Sequence, residues 1–371
     1  MRYVVVTRLP FEHEPQLSDK EIVEKNLFTN NVGNLFFTNS VIRTLLKPGN
    51  EIVRYKKGLD LNSFDKGILI HANVIRSGCE HVFDYDYNIV SNSNIPFVMM
   101  SIGADSNKNF ETSLNDGIKE RVKSLFNLML ERTPSIGVRG EYTKRVLVEQ
   151  CDIDSDKIKV IGCPSVRYFG NNLLKHRREF KPFSNDMKIA VNFTAYHYDL
   201  DEAIYLYHVL KNYNNSYVIF TDKVEAEMLW YNKPVPESRQ HEVLPTSRNH
   251  FIIKEGRGRF CANQKSIMKM LNSFDFSIGS RIHQAVVAIL SGCPALLIAH
   301  STRVLEIAQY HKIPYILRSD LISKNPPLEE LYYKTLDDME NFYKEYNNGL
   351  KDYVDYLYQA DLDINPDFIP V

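Results

Sequence analysis

What the sequence lacks narrows its class before any motif is read. It has only five cysteines, Cys79, Cys151, Cys163, Cys261 and Cys293, odd in number, widely spaced and without a Cys-x-x-Cys pair that could begin a zinc site or redox motif. That usage fits a reducing compartment, so a cytoplasmic location is expected. No apolar run approaches the ~20 residues needed to span a bilayer, and the stretch Met1-Arg2-Tyr3-Val4-Val5-Val6-Thr7 is too short for a signal peptide. Any membrane contact is therefore expected to be peripheral, at the membrane surface. There is no long block of one charge sign: 45 basic and 46 acidic residues are interspersed, for a formal net charge of -1. Nucleic acid is thus not an expected partner, and anion affinity must come from a few placed arginines. Internal repeats and low-complexity segments are absent too.

What is present is a foldable α/β pattern. Hydrophobic residues make up 44% of the chain, and 22 Tyr with 20 Phe exclude a disordered polymer. A length of 371 residues exceeds one ordinary core and suits two domains. Short β-branched runs alternate with segments of helical period, as in βα units that build a parallel sheet. Strands are predicted at residues 3–6, 51–55, 67–71, 96–101, 135–138 and 157–161, with helices at 34–46, 80–91, 113–131 and 141–150. A second series has strands at 188–193, 216–221, 251–254, 274–278 and 295–298, with helices at 200–211, 223–231, 264–272, 282–290 and 301–310.

Between the two series the polar run Lys175-His176-Arg177-Arg178-Glu179-Phe180-Lys181-Pro182 shows neither period and reads as a solvated linker. After Pro326-Pro327, Leu328, Leu331, Tyr332, Leu336, Met339, Phe342, Tyr343 and Tyr346 recur at helical spacing. Their tyrosine stripe reads as core and interface rather than as a ligand platform. The expected layout is a Rossmann-like domain over residues 1–170, a linker over 171–187, a second Rossmann-like domain over 188–325, and a helical segment over 326–371 packing across both. Two doubly wound domains facing across a cleft form the arrangement called GT-B.

In open α/β sheets ligands sit beyond the carboxyl ends of the strands. One predicted strand end, Asp275-Phe276-Ser277-Ile278-Gly279, runs into Ser280-Arg281-Ile282-His283 and then an apolar helix. A helix N-terminus favours anions, arginine adds a planar fork for carboxylate or phosphate, and histidine exchanges protons near neutral pH. A structural alternative remains open, in which Arg281 pairs with a carboxylate and His283 merely starts the helix.

At these residues the sequence resembles the polysaccharide pyruvyl transferase family. The resemblance rests on Ser280-Arg281-Ile282-His283 and its helix, on Gly292-Cys293-Pro294, and on Arg303-x-x-Glu306. It also rests on Gly137-Val138-Arg139-Gly140-Glu141-Tyr142-Thr143 and Asn31-Val32-Gly33-Asn34. Asn34 stands where the family usually has Asp, and His300 and Arg303 where a Tyr and a Lys are common. The resemblance implies transfer of the three-carbon unit of phosphoenolpyruvate onto two sugar hydroxyls, giving a cyclic pyruvate ketal and phosphate. On that reading Arg281 and Arg139 hold the donor's anionic groups from opposite lobes. His283, kept charged by a neighbouring anion, protonates the methylene, and Ser280, Ile282 and Arg303 complete the donor site. No metal or cofactor is demanded beyond the phosphoenolpyruvate itself.

The acceptor side is expected in the first domain. Asn31, Gly33, Asn73 and Asp105 fall at its strand ends and could bind sugar hydroxyls, with Asp105 as base, although turn chemistry explains each equally well. His71, His81, His197 and His300 are further candidates. The acceptor could be lipid-linked or polymeric. Two competing functions stay open: a glycosyltransferase using a nucleotide sugar, with Asp222 gripping a ribose, and a non-catalytic carbohydrate-binding partner in polysaccharide synthesis.

Overall fold

The computed structural model describes residues 1–12, 17–106, 111–195 and 199–370. In the first lobe come β1 (Arg2–Val6), α1 (Asp19–Glu24), α2 (Gly33–Leu45), β2 (Glu51–Arg54), β3 (Lys66–Ile70), α3 (Glu80–Ser91) and β4 (Phe97–Met100), then α4 (Asp116–Leu130), β5 (Ile136–Val138), α5 (Glu141–Cys151) and β6 (Ile158–Val160). The strands pair in parallel in the order β2-β1-β3-β4, and the β5-β6 pair joins them through a parallel bridge between Ile102 and Val138. Side chains alternate across this sheet. Tyr3, Val5, Ile68 and Val98 belong to one core, and Val4, Val6, Leu69 and Met99 to another on the opposite face. Burial on both faces is why the strands read as near-continuous apolar runs.

The second lobe contains β7 (Ile189–Asn192), α6 (Leu200–Asn212), β8 (Ser216–Phe220), α7 (Lys223–Tyr231), α8 (Phe251–Lys254), β9 (Gly258–Phe260) and α9 (Gln264–Asn272). It continues with β10 (Phe276–Gly279), α10 (Ile282–Leu290), β11 (Ala295–Ala299), α11 (Thr302–His311), β12 (Tyr315–Leu317) and α12 (Arg318–Lys324). Its parallel sheet has the order β12-β11-β10-β7-β8-β9. The order reverses between β7 and β10, so their carboxyl ends flank the crevice where such folds bind ligands. The fold is therefore α/β, with two doubly wound lobes in a GT-B-like arrangement.

Three sequence expectations change. Phe251-Ile252-Ile253-Lys254 is a helical turn, not a strand: the His250 ring accepts the Ile252 amide at 3.4 Å, and Gly256 at φ 67° reverses the chain into β9. The local cap and reversal override the β-branched pair. The short β12 and α12 follow the second series without a periodic signal of their own. The basic run after residue 174 is not simply solvated. Arg178 donates to the carbonyls of Asn272 and Phe274, while Arg177 pairs with Glu340 and lies 4.8 Å from the centre of the Tyr343 ring.

The closing helix α13 (Leu328–Gln359) holds the lobes together through its tyrosines. Near its start Tyr332 packs on Phe276 of β10 and donates to Lys181 O at 2.6 Å. Near its end the Tyr353 hydroxyl meets Thr44 Oγ1 at 3.2 Å, and Tyr356 donates to Met99 O of β4 at 2.7 Å. The stripe is thus core, with the tips of Tyr332, Tyr353 and Tyr356 satisfied as buried tyrosines require, while the Tyr343 hydroxyl is buried without a partner among the described residues. Tyr356→Ala should lower the unfolding free energy by about 3–5 kcal/mol, as for other large aromatic truncations, whereas Tyr358→Ala, at a position 49% exposed, should stay within about 0.5 kcal/mol, both read from urea denaturation.

Candidate active site

The site is built where β7 and β10 end side by side. Gly279 is needed there for space: a β-carbon would lie 2.4 Å from Asn192 Cγ. The Asn192 side chain accepts the Arg281 amide at 2.8 Å, which fixes the turn into α10. Arg281 then folds back over the sheet end. Its Nε donates to Phe193 O at 2.8 Å, Nη1 and Nη2 reach the two carboxylate oxygens of Asp222 at 2.9 and 2.8 Å, and Nη2 also reaches Glu225 at 3.1 Å. Glu225 in turn accepts the amides of Thr221 and Asp222, each at 2.9 Å, at the start of α7.

This geometry corrects the expected role of Arg281. It lines the pocket, but its fork is committed to a buried carboxylate pair, and a donor anion would have to displace a bidentate partner. The structural alternative for Arg281 is the one realised here. Asp222, the ribose-gripping candidate, is occupied by the same contact.

The first lobe meets this corner through its turn before α2. Asn26, Thr29 and Asn30 all adopt left-handed φ values, 48°, 46° and 68°, which folds the turn tightly. Val32 N donates to Thr221 O at 3.0 Å, Lys223 N to Asn30 O at 3.1 Å, and Asn31 Nδ2 to Asp222 at 3.1 Å. Asn31 Oδ1 accepts Gly33 N at 2.8 Å. So Asn31 lines the pocket but joins the lobes, and Asn34 is spent on Phe28 O and Thr29 Oγ1 within its own turn. Gly33 serves His283: a β-carbon on Gly33 would lie 2.2 Å from the imidazole Nδ1.

His283 lines the pocket with Gly33, Ser280, His300, Ser301 and Arg303. Its Nε2 stands 4.0 Å from Cys163 Sγ. Burial and the positive charges of Arg139 and Arg303 push its pKa down to about 3. The imidazole is therefore neutral in the free protein, and the charged groups acting on it are cations rather than the anion expected from sequence. Ser280 hydrogen-bonds Thr194 at 3.2 Å, and Ile282 is buried in the core.

Arg139, at the end of β5, is 1% exposed, and burial together with the neighbouring Arg303 lowers its pKa. Its Nε donates to Ser101 O at 3.2 Å, its Nη1 donates to Asn73 Oδ1, and its ring neighbour is Phe37 at 5.3 Å. Ser101 adopts φ 61°, a strained conformation for a residue with a β-carbon, with its carbonyl turned to this guanidinium. A β-carbon at Gly103 would lie 2.5 Å from Arg139 Cδ. Arg139 Nη2 and Arg303 Nε are buried without a hydrogen-bond partner among the described residues.

The expected acceptor residues are mostly engaged by protein. Asn73, 6% exposed, accepts from Arg139 and donates to Ala104 O at 3.1 Å, so it positions the arginine. Asp105 pairs with Arg76 at 3.1 Å and accepts Ser106 N at 3.1 Å; it does not line this pocket. His81 is exposed on α3, and His197 lies outside the described residues.

Several residues escaped the sequence reading. Glu306 of α11 accepts Thr143 N at 3.0 Å and Thr143 Oγ1 at 2.9 Å, so a carboxylate from one lobe caps α5 of the other. Burial raises its pKa to about 7 against the Thr143 hydrogen bonds and the Arg139 charge. Gly140 makes room for it, since a β-carbon would meet Glu306 Oε2 at 2.5 Å. His311, fully desolvated, accepts Cys163 N at 2.7 Å, and burial holds its pKa well below the ordinary value. The Arg303-x-x-Glu306 spacing was the only signal for any of these. Among the described residues no cluster of three or more His, Cys, Asp or Glu stands ready for a metal, and no helix is long and apolar enough to cross a membrane.

Two measurements check this geometry. Gly33→Ala favours helix α2 by about 1 kcal/mol in propensity, yet it should cut turnover about 10²-fold by displacing His283. Stability should also depend on acid in a defined sense. His283 and His311 resist protonation when folded, so their contribution is complete above the unfolded value near 6.5 and is lost as pH falls. Glu306, raised to about 7, works oppositely, binding its proton more tightly when folded. The urea midpoint should therefore fall more steeply from pH 7 to 5 in Glu306→Gln than in the wild type, and less steeply in His283→Asn.

Among curated proteins no sequence matches this chain. Solved structures resemble it distantly. An uncharacterised protein from Klebsiella pneumoniae is 12% identical, with TM-score 0.46, covering 85% of this chain and 92% of its own. S. aureus MnaA, solved with UDP, is 10% identical at TM-score 0.45, covering 90% of each chain. UDP-GlcNAc 2-epimerase from Neisseria meningitidis, bound to UDP-GlcNAc, is 11% identical at TM-score 0.42, covering 100% and 96%. The family description "polysaccharide pyruvyl transferase" matches residues 31–302, a span that runs from the Asn31 turn through Arg139 and His283 to the start of α11, and the chain belongs to that family.

Proposed function

We propose that this chain moves the three-carbon unit of phosphoenolpyruvate onto two hydroxyls of one sugar, forming a pyruvate ketal and releasing phosphate. The observation that carries the reading is that two arginines, Arg139 and Arg303, act on His283, each with a buried donor nitrogen that has no partner among the described residues. Such donors are costly to bury unless an anion completes them. Arg303 leaves the first turn of α11, so the helix N-terminus adds to the same field. In this arrangement Arg139 and Arg303 offset the donor's phosphate and carboxylate. Arg281 acts as a positioning residue that secures the lobe junction.

His283 then acquires its task only with the donor bound. The anion neutralises the field of the two arginines, the imidazole pKa rises, and His283 takes a proton that it delivers to the methylene carbon. Glu306, Asp105 and the Cys163 thiol are the other titratable groups whose charge acts on Arg139. The committed state of Asp222 leaves the nucleotide-sugar reading without its ribose contact.

Phosphoenolpyruvate should raise the thermal midpoint where UDP and GDP do not, and phosphate release should require a glycoside bearing two suitably placed hydroxyls. Arg303→Ala should raise the phosphoenolpyruvate KM about 10- to 100-fold with the fold intact. Arg281→Ala should instead lose about 3–5 kcal/mol of stability, because it strands two buried carboxylates. Calorimetry at pH 7 in buffers of different ionisation enthalpy should record proton uptake on phosphoenolpyruvate binding by the wild type and none by His283→Asn. Equal uptake in both would remove His283 as the acid.

A further inference from the structure

The first lobe carries a histidine–carboxylate pair that the donor pocket does not use. His71 follows directly after β3, and its Nε2 hydrogen-bonds Asp86 of α3. The strand order β2-β1-β3-β4 reverses between β1 and β3, so the end of β3 borders the crevice of this lobe, as the ends of β7 and β10 do in the other. The Asp86 side chain is 1% exposed while that of His71 keeps 16%. The carboxylate is therefore fully buried, and the imidazole is the partner that keeps access to solvent.

A buried carboxylate on one ring nitrogen fixes the tautomer, with the proton on Nε2 and the lone pair on Nδ1. No protein group among the described residues takes that lone pair. The other Asp86 oxygen, Oδ1, is buried without a hydrogen bond, so the pair of carboxylate and imidazole is not a saturated structural network. Position ties it to the donor side. Asn73, two residues beyond His71, accepts from Arg139 Nη1, so the same loop after β3 carries the imidazole and holds the donor-side arginine.

Resting on the reading of the preceding section, we propose that His71, oriented by Asp86, is the base that receives the acceptor sugar at the end of β3 and takes the proton of its first attacking hydroxyl. The hydroxyl oxygen forms its bond to C2 of phosphoenolpyruvate as its proton passes to His71 Nδ1. The C2–C3 π electrons move to C3, which takes a proton from His283 and becomes the methyl group. The second hydroxyl then attacks C2, and the C2–O bond to phosphate breaks with its electrons. Of the two hydroxyl protons, one is balanced by that on the methyl group and the other leaves with phosphate. This assigns the acceptor subsite to His71 and Asp86 rather than to Asn73 or Asp105.

The test uses the full chain, phosphoenolpyruvate, and methyl glycosides of galactose, glucose and N-acetylmannosamine, with phosphate release and mass-spectrometric pyruvyl addition as readouts. His71→Ala should lower kcat by about 10²- to 10⁴-fold with the phosphoenolpyruvate KM unchanged, and added imidazole should restore part of the rate. His71→Gln, whose amide nitrogen stands in place of the imidazole Nε2 and can still donate to Asp86, should fold and bind phosphoenolpyruvate normally but show the same loss. Asp86→Asn should lower kcat less than His71→Ala. A kcat within a few-fold of wild type in His71→Gln, or a loss confined to the phosphoenolpyruvate KM, overturns the assignment. No phosphate release or pyruvyl addition by the wild type with any glycoside overturns the parent reading and this one with it.

Discussion

The carboxylate of Asp222 is where the two lobes become one molecule. It receives the Arg281 fork from α10 and the Asn31 amide from the first lobe, and it stands at the start of α7 with Glu225 behind it. Charges so buried hold only while every partner is present, which makes the junction stiff and intolerant of partial loss. The placement of Gly33 follows from this joint, because the Asn31 turn carries α2 into the junction. The His283 ring packs on Gly33, so the imidazole's position depends on an ion pair that does not touch it.

A second joint, on the opposite side of the pocket, works by different chemistry. Glu306 reaches from α11 to cap α5, and Thr143 relays the contact to Ala104 N at 2.9 Å. Arg139 is held beside that relay, by Ser101 and Asn73. The pocket is therefore gripped from both lobes by groups whose main work is holding its neighbours. The charges of Arg139 and Arg303 both act on His283, an arrangement unfavourable to a charged imidazole in the free protein. α13 closes the assembly from behind, with Tyr332 on one sheet and Tyr356 on the other.

The division of labour between the lobes is chemical as well as spatial. The second lobe and Arg139 gather positive charge around a neutral imidazole, as an anionic donor needs. The first lobe offers at His71 an imidazole backed by a carboxylate, as a hydroxyl acceptor needs. On the proposed reading two such different substrates are brought together, and each is met by one strand-end surface of the crevice between the doubly wound sheets.

Much of this was determined by the sequence alone. Near-continuous short apolar runs and helices of period 3.6 specify the two βα series, because burial on both sheet faces leaves a local signature. The Gly279-to-His283 turn and the Arg139 strand end were legible as strand ends for the same local reason. What the tertiary structure decided was who pairs with whom. Arg281 carries the same fork whether it meets a substrate or Asp222, and only the packing of α7 against α10 chose the carboxylate. His283 titrates differently because Arg139 and Arg303, distant in sequence, converge on it, and Asn73 and Asp105 look like turn residues until their partners are seen. His71 was one histidine among several until α3 laid Asp86 against it. Electrostatic roles depend on distances and burial between remote segments, and no local pattern encodes those.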